Sequence, residues 1–282
     1  MKKSVITIPL LLIATILTIF FGRRYAAHQQ EEMDNNQLLI VEEATDDETE
    51  ADQSSQYNET ETDSLSHSIE EYESRIDSLS LYETLDYLSL TNEDVTVAYY
   101  GDIDAEAEWV SLVNNYLNTA VSGNLTISNF TYPQEDTYEL YIQQTTQSLT
   151  SENPDVIFYG LPALPDKIRD IGLAETEQYM TALVSQLNDL DTTELILIEP
   201  YPIVNEINQL NSRSLDYRSY LGRMQQVASE LAVPIIPLHD EFTSRTEESG
   251  LEAFYTEDNT QLNQEGVELV VTILDEWFQQ DL

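Results

Sequence analysis

The sequence predicts an α/β domain on a parallel sheet, held outside a membrane by an N-terminal anchor and an acidic spacer. Three observations predict it. From about Asp94 onward, short apolar runs rich in β-branched and aromatic residues alternate with longer stretches of helical periodicity. The short runs are apolar at successive positions, as in strands covered on both faces. An unbroken apolar run opens the chain, and a stretch dense in Glu, Asp, Thr and Ser follows it.

The anchor reading rests on length and flanks. The apolar run goes from Val5 to Phe21, with Lys2 and Lys3 before it and Arg23 and Arg24 after it. As a helix it spans about 26 Å, just enough for a hydrocarbon core. A cleaved signal peptide is the rival. The arginine pair ahead of Tyr25-Ala26-Ala27 makes a poor cleavage site, which favours an uncleaved anchor over residues 1–27. A short basic tail inside and a long acidic chain outside give the expected orientation. Residues 28–68 lack the apolar content that offsets ordering entropy and read as a disordered, self-repelling spacer. Residues 69–92 regain periodicity. Ile69, Tyr72, Ile76 and Leu79 share one helical face, and Leu81, Leu85 and Leu88 continue it with a phase shift. They predict a helical lead-in packed on the domain at 93–282.

Within that domain, strands are expected at Val95–Tyr100, Leu125–Phe130, Asp155–Tyr159, Leu195–Glu199 and Pro234–Leu238. Helices are expected at Glu106–Thr119, Tyr138–Leu149, Thr176–Leu190, Ser214–Leu231 and Asn263–Gln280. Trp109, Leu112, Val113, Tyr116 and Leu117 form the inward face of the first. Ligands in such sheets bind outside the carboxyl ends of the strands, so the loops after Tyr100, Phe130, Tyr159 and Glu199 are the ones to inspect.

Composition narrows the chemistry. The formal net charge is -42, from 53 acidic and 11 basic residues. Such a surface repels phosphate backbones, which excludes nucleic acid as a partner. It reads first as solvation, with a calcium-binding acidic face as a sharper alternative. With no cysteine in the chain, thiolate catalysis, disulfides and cysteine metal sites are excluded. The imidazoles are His28, His67 and His239. Neither a cofactor nor a metal is expected. Asn58-Glu59-Thr60, Asn124-Leu125-Thr126 and Asn129-Phe130-Thr131 match the glycosylation pattern, a weak signal in so Thr-rich a chain.

The loops carry a family signal. Gly101-Asp102-Ile103 follows the first strand, Gly160-Leu161-Pro162 the third, and Glu199-Pro200-Tyr201-Pro202 the fourth. Asp258-Asn259-Thr260-Gln261 precedes the last helix. In order and spacing these resemble the SGNH (GDSL-type) hydrolases over roughly Asp94 to Leu282. Those enzymes carry Gly-Asp-Ser, Gly-x-Asn, a proline-rich segment and Asp-x-x-His at these points. The resemblance implies a flavodoxin-like, three-layer αβα sandwich with five parallel strands in the order 2-1-3-4-5. It also implies acyl-ester hydrolysis by a serine, a histidine base and an orienting aspartate, with oxyanion donors from a serine amide, a glycine amide and the asparagine.

This chain departs from the pattern where the chemistry sits. Ile103 replaces the serine, Gln261 the histidine and Pro162 the asparagine, and no glycine stands near Pro133-Gln134. Asp258 alone is retained. Isoleucine has no nucleophile, glutamine is no general base, and proline has no N–H. No catalytic residue is therefore assigned, and Gly101, Asp102, Ile103, Gly160, Pro162, Asp258 and Gln261 are the candidate cleft residues. The expectation is a cell-surface, non-catalytic SGNH-like protein that binds an envelope polysaccharide or an envelope-assembly protein. Two alternatives stay open. One is an active esterase with Ser111 or Ser122 as nucleophile, although neither lies in the strand-to-helix turn, and with His239 read as a loop histidine at the sheet rim. The other is a metal-dependent phosphatase using Asp102 and Asp104, although the lysine such chemistry wants near the phosphate is not in place, since Lys167 follows Pro165-Asp166 and not a strand. Tyr100, Tyr132, Tyr159, Tyr201 and Tyr255 fall near loop rims, where they serve either as sugar-stacking faces or as rim packing.

Overall fold

The computed structural model describes residues 69–92, 94–190 and 194–281. The anchor and spacer expected before residue 69 lie outside the described residues. Among the described residues, no helix is long and apolar enough to cross a membrane.

Five parallel strands form one sheet in the order β2-β1-β3-β4-β5, the order that the family resemblance implies. They are β1 (Asp94–Gly101), β2 (Asn124–Thr131), β3 (Val156–Gly160), β4 (Glu194–Ile198) and β5 (Ile235–Ile236). Side chains alternate between faces along each strand, so a central strand serves two cores. Val95, Val97 and Tyr99 of β1 and Val156 and Phe158 of β3 join one apolar cluster. Ala98 and Tyr100 of β1 and Ile157 and Tyr159 of β3 join the other. β3 is buried at every position, whereas the edge strand β2 is nowhere fully buried.

The first cluster is covered by α1 (Leu81–Thr91), α2 (Glu108–Ala120), α8 (Leu238–Thr246) and α9 (Gln264–Phe278). The second is covered by α3 (Thr137–Ile142), α4 (Thr146–Glu152), α5 (Ala163–Arg169), α6 (Leu173–Asn188) and α7 (Tyr217–Glu230). Helix α1 begins at a capping box. The Glu83 amide donates to Ser80 Oγ at 3.3 Å, and the Ser80 amide donates to the Glu83 carboxylate at 3.0 Å. Leu81 and Leu85 are fully buried in the first cluster, and the Tyr82 hydroxyl donates to Asp275 of α9 at 2.6 Å. The lead-in helix is thus part of this core.

The structure corrects the predicted elements where local chemistry overrides periodicity. The helix expected at Tyr138–Leu149 is two helices, α3 and α4, broken where Gln144 takes φ +53°. Helices α5 and α8 were not predicted, because each is short and begins directly after a proline, Pro162 or Pro237. The fifth strand shrinks accordingly, since Leu238 starts α8. In α2, Val110 is buried and Tyr116 is 47 % exposed, which turns the inward face from the predicted one. Ile76, placed on the lead-in's buried face by spacing, sits in a 3-10 turn and is exposed.

One buried carboxylate ties the second layer together. Asp166 of α5 accepts from the Thr137 amide at 2.7 Å, the Thr137 hydroxyl at 2.9 Å and the Thr176 hydroxyl at 2.6 Å. It thereby joins α3, α5 and α6 through groups that a dry interior obliges to pair.

Truncating Leu85 to alanine should cost about 2–5 kcal/mol, the range for a fully buried leucine. Urea unfolding of the chain with and without Leu85→Ala checks it. A loss below about 1 kcal/mol, typical of surface changes, would show that the lead-in is peripheral.

Candidate functional site

The carboxyl ends of β1 and β3 lie side by side, with Gly101 paired to Gly160. Gly101 has φ +80°, and a Cβ there would stand 2.5 Å from the Tyr159 ring and 2.6 Å from the Gly160 carbonyl oxygen. Only glycine fits such a position. The Gly101 carbonyl accepts from the Ile103 amide at 2.9 Å and the Tyr132 amide at 2.7 Å, and the Asp102 amide donates to the Gly160 carbonyl at 3.0 Å. These bonds turn the chain sharply out of β1 and set Ile103 over Gly160. A Cβ on Gly160 would stand 2.3 Å from Ile103 Cγ1. Ile103 is 4 % exposed and belongs to the first core cluster, a burial worth about 1.5–3 kcal/mol.

Above this floor lies a cavity of about 220 Å³, whose lining includes Asp102, Ile103, Asp104, Trp109, Glu199 and Tyr201. Asp102 Oδ1 accepts from the Gln134 amide at 2.7 Å. Gln134 has φ +68°, a conformation that favours glycine, and it lies where the family resemblance expects one. Its N–H is already taken by Asp102. Burial pushes the Asp102 carboxyl up to about 6, against the pull of that amide. Glu199 is 1 % exposed, and its oxygens accept from Gln225 Nε2 at 2.6 Å and the His239 amide at 3.1 Å. Burial raises its pKa as well. Burial raises the Tyr201 phenol, and the nearby Asp102 and Asp104 charges add to this.

Of the seven candidate cleft residues, Asp102, Ile103 and Gly160 line the cavity and Gly101 lies beneath them. Pro162, Asp258 and Gln261 do not line it. Pro162 is buried as the N-cap of α5. Asp258 is exposed and closes its own turn, accepting from the Thr256 hydroxyl at 2.7 Å, the Thr260 hydroxyl at 2.8 Å and the Thr260 amide at 3.2 Å. Those bonds hold its carboxyl below the usual range. Gln261 is exposed, and its backbone pairs with Thr256.

His239 is no rim-loop histidine. It lies in the first turn of α8 and is buried. Its Nε2 is 3.0 Å from the Tyr217 hydroxyl and its Nδ1 3.4 Å from Asp240 Oδ1. Burial lowers its pKa. Ser111 and Ser122 are exposed and do not line the cavity. Lys167 is buried against Glu206 and brings no charge to the cleft. No group of three His, Cys, Asp or Glu among the described residues is placed to hold a metal. The rim tyrosines are mostly core. Tyr100 and Tyr159 are fully buried with ring centroids 5.0 Å apart, and Tyr255 is buried with its hydroxyl on the Pro202 carbonyl. Tyr132 and Tyr201 are half-buried. Glu199 was not among the sequence-derived cleft residues. Its place at the carboxyl end of β4 was the signal for it.

This geometry defines a three-layer αβα domain with a cleft at the β1–β3 switch in strand order. The fold is the SGNH-type hydrolase fold. The lipase/acylhydrolase from Enterococcus faecalis superposes with a TM-score of 0.52 at 17% identity, over 66% of this chain and 95% of that one. An acetyl xylan esterase, AlAXEase, matches with a TM-score of 0.52 at 19% identity, over 64% and 98%. An acetyl xylan esterase from Geobacillus stearothermophilus matches with a TM-score of 0.54 at 14% identity, over 67% and 96%. No protein-family model and no curated protein matches the sequence.

The raised carboxyls set a pH dependence. Asp102 and Asp166, at about 6 and about 7, exceed the ordinary value of 3.8. The folded chain therefore binds these protons more tightly than the unfolded chain. Their contribution to stability is complete below that ordinary value and is lost as pH rises through 6 to 7. The fall in melting temperature between pH 4 and pH 8 should be smaller in Asp102→Asn than in the unaltered chain. Parallel melting curves for the two would contradict the assignment.

Proposed function

We propose that this chain is a non-hydrolytic SGNH-fold protein, anchored in a membrane by its N-terminal segment, whose outward-facing domain binds a component of the cell envelope. One observation carries the loss of chemistry. The nucleophile's place holds Ile103, packed down onto Gly160 and sealed into the core. An activated hydroxyl beside an oriented base is the minimum for acyl transfer. Here there is no hydroxyl at that turn, and the buried histidine is hydrogen-bonded to Tyr217 and is not part of the cavity lining.

Further observations agree. One implied oxyanion donor is missing and another is occupied, since Pro162 has no side-chain amide and the Gln134 N–H is bonded to Asp102. Asp258 is occupied by its own turn. What persists is a concave site at the end of a parallel sheet, the usual place for a ligand. The apolar run Val5–Phe21 and the acidic composition after it support the anchor and the spacer.

The full chain should hydrolyse p-nitrophenyl acetate and acetylated sugars no faster than Asp258→Ala. Turnover that the variant loses would restore the esterase reading and reject this one.

A further inference from the structure

The cleft is one-sided in charge. Its lining includes Asp102, Asp104 and Glu199 and contains no lysine, arginine or histidine. Glu199 is spent on internal bonds to Gln225 and the His239 amide. Asp102 uses Oδ1 for the Gln134 amide, and Asp104 uses Oδ1 for the Glu106 amide at 3.0 Å. No hydrogen bond from the described residues reaches the second oxygen of either aspartate.

The rest of the cavity has its own chemistry. Ile103, Ile198 and Leu238 supply an apolar wall, and the Trp109 indole and the half-buried Tyr201 ring complete it. Aromatic faces attract organic cations, most strongly when the site is shielded from water. At about 220 Å³ the cavity is smaller than the roughly 300–1,000 Å³ of drug-sized sites. It suits a headgroup and not a long polymer segment. A carboxylate pair beside apolar and aromatic walls repels anions, gives neutral sugars few donors, and stabilises a compact apolar cation.

We propose that this cleft binds an organic ammonium group, with Asp102 and Asp104 supplying the charge and Trp109 and Tyr201 the aromatic faces. The inference rests on the non-hydrolytic binding reading above and names its ligand class. It also accounts for the apolar side chain at position 103, which walls the pocket where a hydroxyl would otherwise sit.

The test uses choline and its uncharged carbon isostere, 3,3-dimethylbutan-1-ol. The chain contains two tryptophans, so Trp277→Phe in the full chain leaves Trp109 as its single indole reporter. Choline should change Trp109 emission saturably, and the isostere at equal concentration should not. Asp102→Asn should weaken choline about tenfold, the loss expected when one partner of a shielded ion pair is neutralised. Asp104→Asn, at an exposed position, should weaken it in the same direction and guards against a folding defect in the first variant. Equal responses to choline and the isostere, unchanged in both variants, would overturn the ammonium assignment while leaving a binding cleft. No response to either probe would also overturn it. Ester turnover lost in Asp258→Ala would instead reject the reading beneath it.

Discussion

The contact between Gly101 and Gly160 governs the rest of the site. Adjacent parallel strands end there with no side chain on either residue, and any Cβ would collide with backbone or ring atoms. That absence lets the chain fold over the strand ends and brings Asp102, Ile103 and the Tyr132–Gln134 segment to one point. In a sheet ordered β2-β1-β3-β4-β5, this point is the switch in strand order, where helices leave to opposite faces and a crevice must open. The turn that shapes the cleft is therefore fixed by these two glycines. The side chain set upon it, Ile103, is packed into the first core cluster.

Two raised carboxyls show how burial can serve different ends. Asp166 is fully buried and satisfied by three donors from two threonines. It joins helices and is not part of the cleft lining. Asp102 is half-buried, holds one amide, and lines a cavity without a cation. Both are pushed up by desolvation. Geometry, not the shift, separates the tie from the site. The large negative charge of the whole chain acts in the same direction at the cleft, since it favours cationic over anionic visitors.

Much of the fold is legible in sequence because central strands carry two faces. Ile157 and Tyr159 face one layer while Val156 and Phe158 face the other, and that makes DVIFY an unbroken apolar run. The turn after β1 is legible because a glycine ends an apolar run, and Gly101 there takes φ +80°. What escapes is long-range. The burial of His239 against Tyr217, 22 residues earlier, has no local signature. Tyrosines at strand ends look like rim residues until the packing of Tyr100 on Tyr159 shows them inside. Short helices behind prolines, α5 and α8, hold too few turns to display a period.

The proposed non-hydrolytic reading rests on Ile103 packed into the core at the turn after β1, on His239 buried against Tyr217 and on the Gln134 N–H bonded to Asp102. The most direct measurement is reaction of the folded full chain with a fluorophosphonate, followed by peptide mapping, because such reagents modify activated serines and spare ordinary ones. The account predicts no serine modified above the level of the unfolded chain. A serine modified stoichiometrically in the folded chain would contradict it, and the mapped peptide would locate the working nucleophile.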